Sequence, residues 1–463
     1  MSSTASPSSA QVVIVGGGIS GLAIAFYLSK SGIRPILIEK SQLGGLIRTD
    51  VIDGCELEAG PDSFLAAKTS VGELAAELGL TGEIIGSNDE QRRIFIARDR
   101  KLVPLPPGMV MMTPGDLKAA LRSNFFSPTS KIRFIEELFA RPKNRPGDVS
   151  VREFVTDHFS REILEYVTEP LLAGVYGGDA MTLSARSVLP RFVDYEERYG
   201  SLIRGVRKER EKTAKTNSLF LSFRHGMQTL IDALTREIAD GTELVNAEVM
   251  SVEKMPAGWQ VRTQNRAIAA EHVVLACPAH VAAKLIANAA PRAAGNLAAI
   301  PYSSAILINL VYDSGKLRRS LDGFGLLVPR QERRTIAAAT WVSTKFPSRT
   351  PPDRAAVRAF IVGDKADDLI SKPDAERIFL VREEFRNLLG IDSTPLIATV
   401  QRWPHSMPQY VVGHRERVRG INEAVQASPG LHLCGNAYEG VGIPDCVRLA
   451  QAVSCRIARQ VGR

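Results

Sequence analysis

Residues 11–40, QVVIVGGGISGLAIAFYLSKSGIRPILIEK, contain in order a β-branched run, a glycine-rich turn, a helix with an apolar face and a second strand. The β-branched run at residues 12–15 is typical of a buried parallel strand, and the second strand ends at Glu39. The glycines with GxGxxG spacing are Gly16, Gly18 and Gly21. This order of elements predicts a Rossmann-like unit that binds a dinucleotide.

Each part of this unit has a physical role. Gly16 permits a tight turn, Gly18 lets the backbone approach a pyrophosphate, and Gly21 lets the helix pack closely on the strand. The pyrophosphate then lies at the positive N-terminus of the helix. Glu39 follows Gly21 by 18 residues, which places it to accept hydrogen bonds from a ribose and disfavours a 2′-phosphate. The motif alone does not distinguish FAD from NAD.

The segment after the second strand distinguishes them. Gly44-Gly45 and Arg48-Thr49 resemble the GG motif of flavin oxidoreductases, in which a glycine pair lets a loop lie against the flavin. The glycine pair therefore favours FAD.

Further along, the spacing Ser70-x-x-Glu73 predicts a capping box at the start of a helix.

A matching motif closes the chain. Residues 430–447 read GLHLCGNAYEGVGIPDCV, with strand-like residues before a glycine loop. Pro444 suits the first position of a helix and Asp445 suits its first turn. A glycine loop before an exposed helix N-terminus can hold a pyrophosphate or a negative flavin oxygen. We therefore expect both ends of the chain to form one dinucleotide site.

These motifs, with several others, resemble one family. The segments GGGISG (16–21), EAGPDSF (58–64) and GNAYEGVGIPDC (435–446) resemble the flavin-dependent porphyrinogen oxidases of haem synthesis. These enzymes are the protoporphyrinogen oxidases and relatives that act on coproporphyrinogen III. The resemblance runs nearly end to end and includes EPLLAGVYGGD (169–179) and GFGLLVP (323–329). The first and last motifs are also shared with amine oxidases and carotenoid desaturases, whereas the middle ones are more specific.

The resemblance implies FAD as the cofactor and no catalytic residue beyond it, because the flavin supplies the difficult chemistry. Val249 is expected to touch the adenine through its backbone, and Trp403 is expected to be another cofactor contact. The full set of expected cofactor residues is Gly16, Gly17, Gly18, Ile19, Ser20, Gly21, Glu39, Lys40, Gly44, Gly45, Arg48, Gly60, Pro61, Asp62, Ser63, Val249, Trp403, Val441, Gly442 and Ile443.

The implied reaction is dehydrogenation of a porphyrinogen. Hydride leaves a ring carbon for flavin N5, protons leave from nitrogen, and molecular oxygen reoxidises the flavin to give peroxide. Three such rounds give the aromatic porphyrin. The resemblance does not choose between protoporphyrinogen IX and coproporphyrinogen III.

Arginine suits a propionate because its planar fork binds a carboxylate bidentately. Arg93 aligns best with the family arginine that has this role, and Arg92 or Arg98 takes its place if the alignment slips. The expected substrate-binding residues are Arg93, Gly177, Gly178, Phe324, Gly325 and Leu327.

The predicted fold class is α/β, with the architecture of flavin amine oxidases. It has a discontinuous Rossmann-like FAD-binding domain, a substrate domain with a mixed sheet, and a helical insertion. The predicted segments are a disordered lead-in at 1–9, the FAD-binding domain at 10–85, 217–290 and 410–463, the substrate-binding domain at 86–108 and 291–409, and the helical insertion at 109–216.

In the related enzymes the insertion contacts the membrane, so a peripheral contact with a membrane surface is expected. Within it, Ile132, Ile135, Leu138 and Phe139 predict one apolar helix face, and Ser150-x-x-Glu153 predicts another capping box. A basic run from Arg204 to Lys215 is either a lipid-facing surface or an ordinary solvated face. The run has no interleaved aromatic residues, so nucleic acid is not expected as a partner.

Composition sets further limits on this chain of 463 residues. With 44% hydrophobic and 23% charged residues it is typical of a folded protein of two or three domains, and its net charge is +8. The five cysteines show no CxxC spacing, so no metal site is expected. Together with the lack of a signal-peptide pattern they favour a reducing compartment, the cytoplasm. A homodimer is expected from the resemblance alone.

Two alternatives remain from the sequence. A flavin dehydrogenase of the same fold could act on amines or carotenoids, although amine oxidases present an aromatic pair beside the flavin and only Tyr438 is evident here. A flavin-free binding protein related to the prenyl-protein chaperones is opposed by the intact glycine set and Glu39.

Overall fold

The strand that precedes the GxGxxG turn lies inside a sheet built from three separate parts of the chain. The computed structural model describes residues 8–212, 218–318 and 321–462. The strand order is Glu243–Asn246, Ile36–Glu39, Ser8–Val15, Ala267–Leu275, Trp259–Thr263 and Val249–Lys254, and Leu431–Leu433 also pairs with Ala267–Leu275. The strands next to Ser8–Val15 run parallel to it, and Val12, Val13 and Ile14 are fully buried. Parallel strands covered on both faces require such unbroken apolar runs.

Helices cover both faces of this first sheet. They are Ile19–Lys30, Ser70–Glu77, Gln228–Ile238, Ala279–Leu285, Pro291–Ala298, His414–Gln426 and Ile443–Val461. Their buried side chains form one core with the strands, and Ala293 and Leu297 belong to it. This core therefore extends past residue 290 of the chain.

A second sheet carries the residues expected to bind substrate. Its strand order is Ile397–Pro408, Tyr302–Asp313, Arg354–Val362, Ala338–Trp341, Gly325–Leu327, Ile94–Arg98 and Lys101–Pro104. Side chains alternate between its faces. Phe95 and Ala97 pack with the helices Asp364–Leu369 and Asp374–Leu389 on one face, whereas Ile96 faces the helical insertion.

The insertion is helical, and the short hairpin Met109–Val110 and Thr113–Pro114 precedes its helices. These are Leu117–Arg122, Pro128–Glu137, Val151–His158, Arg161–Ile163, a π-helical turn Leu164–Thr168, Glu169–Tyr176, Ala185–Val188, Pro190–Tyr199 and Leu202–Lys212. The predicted fold class is confirmed. The domain boundaries stay a prediction. Strand Ser8–Val15 begins two residues before the predicted start of the cofactor domain, and Lys215 lies outside the described residues.

Two local predictions about helices can be compared with the structure. The capping box at Ser150 and Glu153 is confirmed, because both of its hydrogen bonds are present. The one at Ser70 is wrong, because Ser70 is already the first helical residue and its hydroxyl donates to the Pro444 carbonyl at 2.6 Å. That contact instead ties the helix to the closing motif.

Of the predicted apolar face of helix Pro128–Glu137, only Leu138 packs against the core. Ile132, Ile135 and Phe139 are 56%, 46% and 78% exposed, while Phe134 is fully buried on the opposite side. The buried face depends on Phe134 and on Glu137, whose carboxylate accepts hydrogen bonds from the backbone N–H groups of Leu202 and Ile203. A buried carboxylate that caps another helix cannot be read from apolar periodicity.

Smaller strands join the two large sheets. Thr49–Ile52 and Cys55–Glu58 form a hairpin. A three-stranded sheet has the order Phe64–Leu65, Phe220–Phe223 and Ile84–Gly86. Residues 58–64 therefore run between the first sheet and the second. Over the described ranges, we found no helix long and apolar enough to cross a membrane.

Candidate cofactor and substrate site

The GxGxxG turn adopts a conformation that only glycine allows. Gly16 has φ of +107°, and a Cβ there would lie 2.7 Å from the Ala276 carbonyl oxygen. A Cβ at Gly21 would lie 1.9 Å from the Gly16 carbonyl oxygen. Gly18 differs, because a Cβ there would meet none of the described atoms within 4 Å. Gly18 is also the N-cap of helix Ile19–Lys30 and provides no side-chain cap, so the helix N-terminus faces open space.

Glu39 closes one side of this turn. One of its oxygens accepts a hydrogen bond from the Gly17 N–H at 2.7 Å, and the other accepts from the Ser41 N–H and hydroxyl at 2.9 Å. Asn246 pairs with Glu39 in the sheet, and the Ala247 N–H donates to the Glu39 carbonyl at 3.1 Å, two residues before Val249. This arrangement suits the ribose and adenine of a dinucleotide. Lys40 instead forms an exposed ion pair with Glu248 at 3.1 Å.

The glycine pair after the second strand lies directly against the turn. The Gly44 N–H donates to the Gly17 carbonyl at 2.8 Å, and a Cβ at Gly45 would lie 3.3 Å from Gly18 Cα. Arg48 forms an ion pair with Asp50 at 3.0 Å. Gly60 lies on the other side of the loop, where a Cβ would be 1.9 Å from the Leu46 carbonyl oxygen. The loop is thus held between two predicted cofactor segments.

The closing motif brings a second helix N-terminus to the first. Ser20, the second residue of helix Ile19–Lys30, is buried and lowers the pKa of both Cys434 and Cys446, against the larger effect of burial; these two cysteines flank the glycine loop of the closing motif. Gly442 is the N-cap of helix Ile443–Val461 and has no side-chain cap. Both helix dipoles therefore point their positive ends into one crevice, which favours an anionic ligand.

Tyr410, which the sequence did not indicate, fixes the closing loop. Its hydroxyl donates to the Asn436 carbonyl at 2.6 Å and accepts from the Gly440 N–H at 2.9 Å. Asp445 packs against Gly440 and is held by Lys68 at 2.6 Å. No short-range signal marks Tyr410, because it lies some 30 residues before Gly440 along the chain.

Buried groups beside the two glycine loops stay neutral near pH 7. Burial raises the pKa of the Cys277 thiol to about 12 and that of Cys446 to about 11. Burial also raises the pKa of Tyr438 well above its ordinary value, and its hydroxyl has no hydrogen-bond partner among the described residues. A buried hydroxyl without a partner is costly, so a bound group that supplies one would be favoured.

These features fit FAD. The two uncapped helix N-termini would hold its pyrophosphate, Glu39 would hold the ribose, and the glycine loops leave room for close approach. The orphaned Tyr438 hydroxyl also favours a polar ligand in the crevice. Among the described residues there is no group of His, Cys, Asp and Glu side chains that could hold a metal ion.

The structure brings part of the predicted substrate set next to the predicted cofactor set. Leu327 and Val441 both pack against the core of the helical insertion, as does Tyr176. Burial raises the pKa of Tyr176 to about 12, with Asp445 adding to the shift. The cofactor crevice and the second sheet therefore meet at an apolar wall made by the insertion.

Phe324 and Gly325 also lie on the second sheet. Phe324 is buried, and its N–H donates to the Arg93 carbonyl at 2.7 Å. Gly325 has no room for a side chain, because a Cβ would lie 2.9 Å from the Trp341 ring. Both residues are thus fixed by strand contacts.

Arg93 itself points to solvent. Its side chain is 59% exposed and its guanidinium pairs with Asp322 at 2.5 Å. Arg92 is also exposed and lies 3.8 Å from Asp89. Arg98 is held by Glu162 at 2.9 Å and lies over the Tyr166 ring. Each guanidinium therefore has a protein partner that a substrate carboxylate would have to replace.

The glycines 177 and 178 have a packing role in the structure. A Cβ at Gly177 would lie 3.0 Å from Met407 Sδ, and one at Gly178 would lie 2.1 Å from Gln409 Oε1. Gly177 also has φ of +60° and ends helix Glu169–Tyr176. Contact of these glycines with substrate stays a prediction.

Trp403 bonds the residue before the 60–63 segment, and two buried cations pair with the segment itself, which the sequence did not reveal. The Trp403 indole N–H donates to the Ala59 carbonyl at 2.7 Å. Arg358 and Lys345 both pair with Asp62, at 3.1 and 3.2 Å. One signal existed, since Arg358 interrupts an otherwise apolar strand, but it did not indicate a partner about 300 residues away in sequence.

The sheet, the paired helix N-termini and the glycine loops define a flavin-binding oxidoreductase. The chain belongs to the family of flavin containing amine oxidoreductases, whose model matches residues 19–458. This membership confirms the predicted enzyme class and the flavin cofactor.

Individual proteins within this family are similar to the chain over nearly its full length. The chain is 31% identical to a coproporphyrinogen III oxidase of Bacillus subtilis (strain 168), over 95% of this chain and 96% of the relative. It is 27% identical to the chloroplastic protoporphyrinogen oxidase of Nicotiana tabacum, over 97% and 86%. A solved structure from Exiguobacterium sp. 255-15, provisionally assigned as a protoporphyrinogen oxidase, superposes with a TM-score of 0.87 at 28% identity and covers 98% of this chain and 100% of that one.

Substituting Gly18 with alanine separates folding from cofactor binding. Its Cβ would meet open space in the protein but would occupy the approach of the pyrophosphate. We expect the melting temperature of the apoprotein to stay unchanged and the Kd for FAD to rise at least about tenfold, or ~1.4 kcal/mol. Gly72→Ala is the matched control, because its Cβ also meets open space. Unchanged FAD affinity in Gly18→Ala would place the pyrophosphate elsewhere.

Proposed function

We propose that the protein is an FAD-dependent porphyrinogen oxidase of haem synthesis that converts coproporphyrinogen III to coproporphyrin III with molecular oxygen. The near full-length similarity to coproporphyrinogen III oxidases carries this proposal. The crevice supports it, because the residues that fit FAD adjoin an apolar wall that suits a flat macrocycle. The relatives named protoporphyrinogen oxidase are 27–28% identical, which makes coproporphyrinogen the first choice of substrate.

The chemistry asks little of the side chains. When bound, FAD accepts the hydride that leaves a ring carbon of the porphyrinogen. One proton leaves a ring nitrogen in the same round, and one oxygen molecule is reduced to hydrogen peroxide. Three such rounds convert the porphyrinogen into the porphyrin. The protein residues orient the macrocycle and exclude water, and in this proposal none of them acts as an acid or base.

Substrate contacts in this proposal come from the second sheet and the insertion. Leu327, with Phe324 behind it, would pack against the macrocycle beside Val441. Arg93 would leave Asp322 and pair with a propionate, as its fork geometry allows. The predicted FAD contacts, from Gly16 to Ile443, are carried over with the roles given above, except that Trp403 acts on FAD in this proposal through the Ala59 carbonyl that its indole N–H holds.

Anaerobic reduction is the direct test of the function. The FAD-loaded protein is mixed with coproporphyrinogen III and, separately, with protoporphyrinogen IX, with free FAD as the control. We expect both to bleach the flavin absorbance, coproporphyrinogen III faster, and porphyrin fluorescence to appear when oxygen is admitted. If the flavin stays oxidised with both but is bleached by an amine, the protein is an amine oxidase instead.

Arg93→Ala tests the propionate contact. Loss of one charged hydrogen-bonding partner should raise the KM for coproporphyrinogen III about tenfold with kcat nearly unchanged, because binding to ground and transition states is lost equally. Asp322→Asn should lower the KM by releasing Arg93. Arg92→Ala is the matched control. A KM that does not respond to Arg93→Ala would remove Arg93 from the substrate site.

We also propose that the insertion contacts a membrane surface. The exposed Ile132, Ile135 and Phe139 lie on one side of the helix Pro128–Glu137 and its C-terminal end, and Lys131, Arg141 and Lys143 flank them. Exposed apolar side chains bordered by basic ones are typical of interfacial helices. The predicted basic run is partly engaged elsewhere, since Arg204 donates to the Ala140 carbonyl at 2.6 Å and Lys208 lies over the Tyr199 ring.

Flotation with vesicles of anionic phospholipid tests this contact. The wild-type protein should float at low salt, and Phe139→Ser should lose most of the bound fraction because it removes the most exposed apolar group. Phe379→Ser is the matched control, since Phe379 is 59% exposed on the helix Asp374–Leu389, outside the insertion. Equal flotation of both variants, or none of the wild type, would contradict the membrane proposal.

A further inference from the structure

Three consecutive carbonyls in the segment 58–60 are each held by a side chain of the second sheet. The Glu58 carbonyl accepts from the Asn309 amide at 3.2 Å, and the Ala59 carbonyl accepts from the Trp403 indole at 2.7 Å. The Gly60 carbonyl accepts from the Arg358 guanidinium at 2.9 Å. The three donors lie on three adjacent strands, Tyr302–Asp313, Ile397–Pro408 and Arg354–Val362. This segment therefore docks across the sheet by its backbone.

Two cations extend the contact to Asp62. Its carboxylate pairs with Arg358 at 3.1 Å and with Lys345 at 3.2 Å, and Lys345 also donates to the Ser63 hydroxyl at 3.1 Å. Burial alone would raise the pKa of Asp62, but the charges of Arg358 and Lys345 outweigh it and hold the pKa well below its ordinary value. Burial lowers the pKa of Lys345 more than Asp62 restores it. We name Asn309, Trp403, Arg358 and Lys345 the clamp.

Asn309, Arg358 and Lys345 of the clamp are buried and Trp403 is partly buried, so the contacts of the two cations are costly to lose. The Arg358 and Lys345 side chains are 4% and 9% exposed. Removal of one partner from a buried ion pair leaves an uncompensated charge. The opposite side of the segment is fixed as well, because Gly60 lies against Leu46 and the Asp62 carbonyl accepts from the Ser222 hydroxyl at 2.7 Å. The segment has one well-defined conformation as a result.

We propose that the clamp residues are positioning residues for FAD, which preorganise segment 58–63 of the cofactor crevice from the second sheet and from the helix Val342–Lys345 that follows its strand Ala338–Trp341. This inference rests on the proposed FAD contacts of Gly60 to Ser63. Binding a ligand with a loosely held segment costs the free energy of ordering that segment, so a preorganised segment raises affinity. The clamp thereby couples FAD binding to docking of the substrate-bearing sheet.

The mildest test is Trp403→Phe, which keeps an aromatic ring and removes only the indole N–H. One lost hydrogen bond should raise the Kd for FAD about two- to tenfold. Arg358→Met removes contacts to both Gly60 and Asp62. It should raise the Kd for FAD more than tenfold, because the buried carboxylate of Asp62 loses a charged partner. The Kd is measured by titrating each apoprotein with FAD and following quenching of flavin fluorescence.

Arg377→Met is the matched control for a loss of stability alone. Arg377 is fully buried, pairs with Asp374 and donates to the Leu369 carbonyl, and it lies on the far side of the second sheet from segment 58–63. It should lower the melting temperature of the apoprotein as Arg358→Met does, but leave the Kd for FAD unchanged. Lys345→Met, which keeps Arg358 on Asp62, serves if Arg358→Met does not fold.

The outcomes separate this inference from the proposed function. Weakened FAD binding in the clamp variants but not in Arg377→Met supports the inference, whichever porphyrinogen is oxidised. Equal Kd values for wild type, Trp403→Phe and the foldable cation variant would overturn it while leaving the porphyrinogen oxidase function intact. If the wild type binds FAD but oxidises no porphyrinogen, the proposed function fails and the clamp is judged by the Kd values alone.

Discussion

Parallel pairing between Ser8–Val15 and Ala267–Leu275 is the constraint on which the site depends. These strands are far apart in sequence, and Leu431–Leu433 joins the same sheet on the other side of Ala267–Leu275. Parallel strands in register place their carboxyl ends at one edge, so the loops that follow them share that edge. The glycine turn after the first strand and the glycine loop after the last therefore meet, and each is followed by a helix that points its N-terminus at the same space.

The second constraint is the position of segment 58–63 between the two sheets. Such a segment has unpaired backbone groups that must find partners when buried. Here side chains of the second sheet provide them, and Arg349 completes the set by pairing with Glu58 at 2.9 Å while donating to the Phe223 carbonyl at 2.9 Å. Burial raises the pKa of Glu58 despite that pair. The ionic groups between the sheets thus set the geometry of the crevice as well as the docking of the sheets.

The helical insertion forms the apolar wall beside the crevice and carries exposed apolar residues on its outer surface. Its core packs Leu327 and Val441 on one side, and within it His158 lies between Glu137 and Glu196 at 3.2 and 3.1 Å. Burial alone would lower the pKa of His158, but its hydrogen bonds to these glutamates outweigh burial and raise it. Glu137 also caps the helix Leu202–Lys212, so this polar network fixes the helices whose exposed side carries Ile132 and Phe139. One set of buried charges holds the apolar wall and leaves an apolar surface outside.

The sequence by itself determined the cofactor unit, because its signals are local. The turn at Gly16, Gly18 and Gly21 needs glycine for reasons of backbone geometry, and Glu39 follows at a fixed distance on the next strand. The tertiary structure alone decided the partners of segment 58–63 and the buried face of the helix Pro128–Glu137. Arg358 reaches the Gly60 carbonyl only because its strand takes its place in the second sheet. Glu137 is buried because it caps the helix Leu202–Lys212, which follows much later in the sequence. Apolar periodicity ranks side chains by hydrophobicity. It therefore cannot show that the free-energy cost of burying a charged residue is offset by a partner distant in sequence.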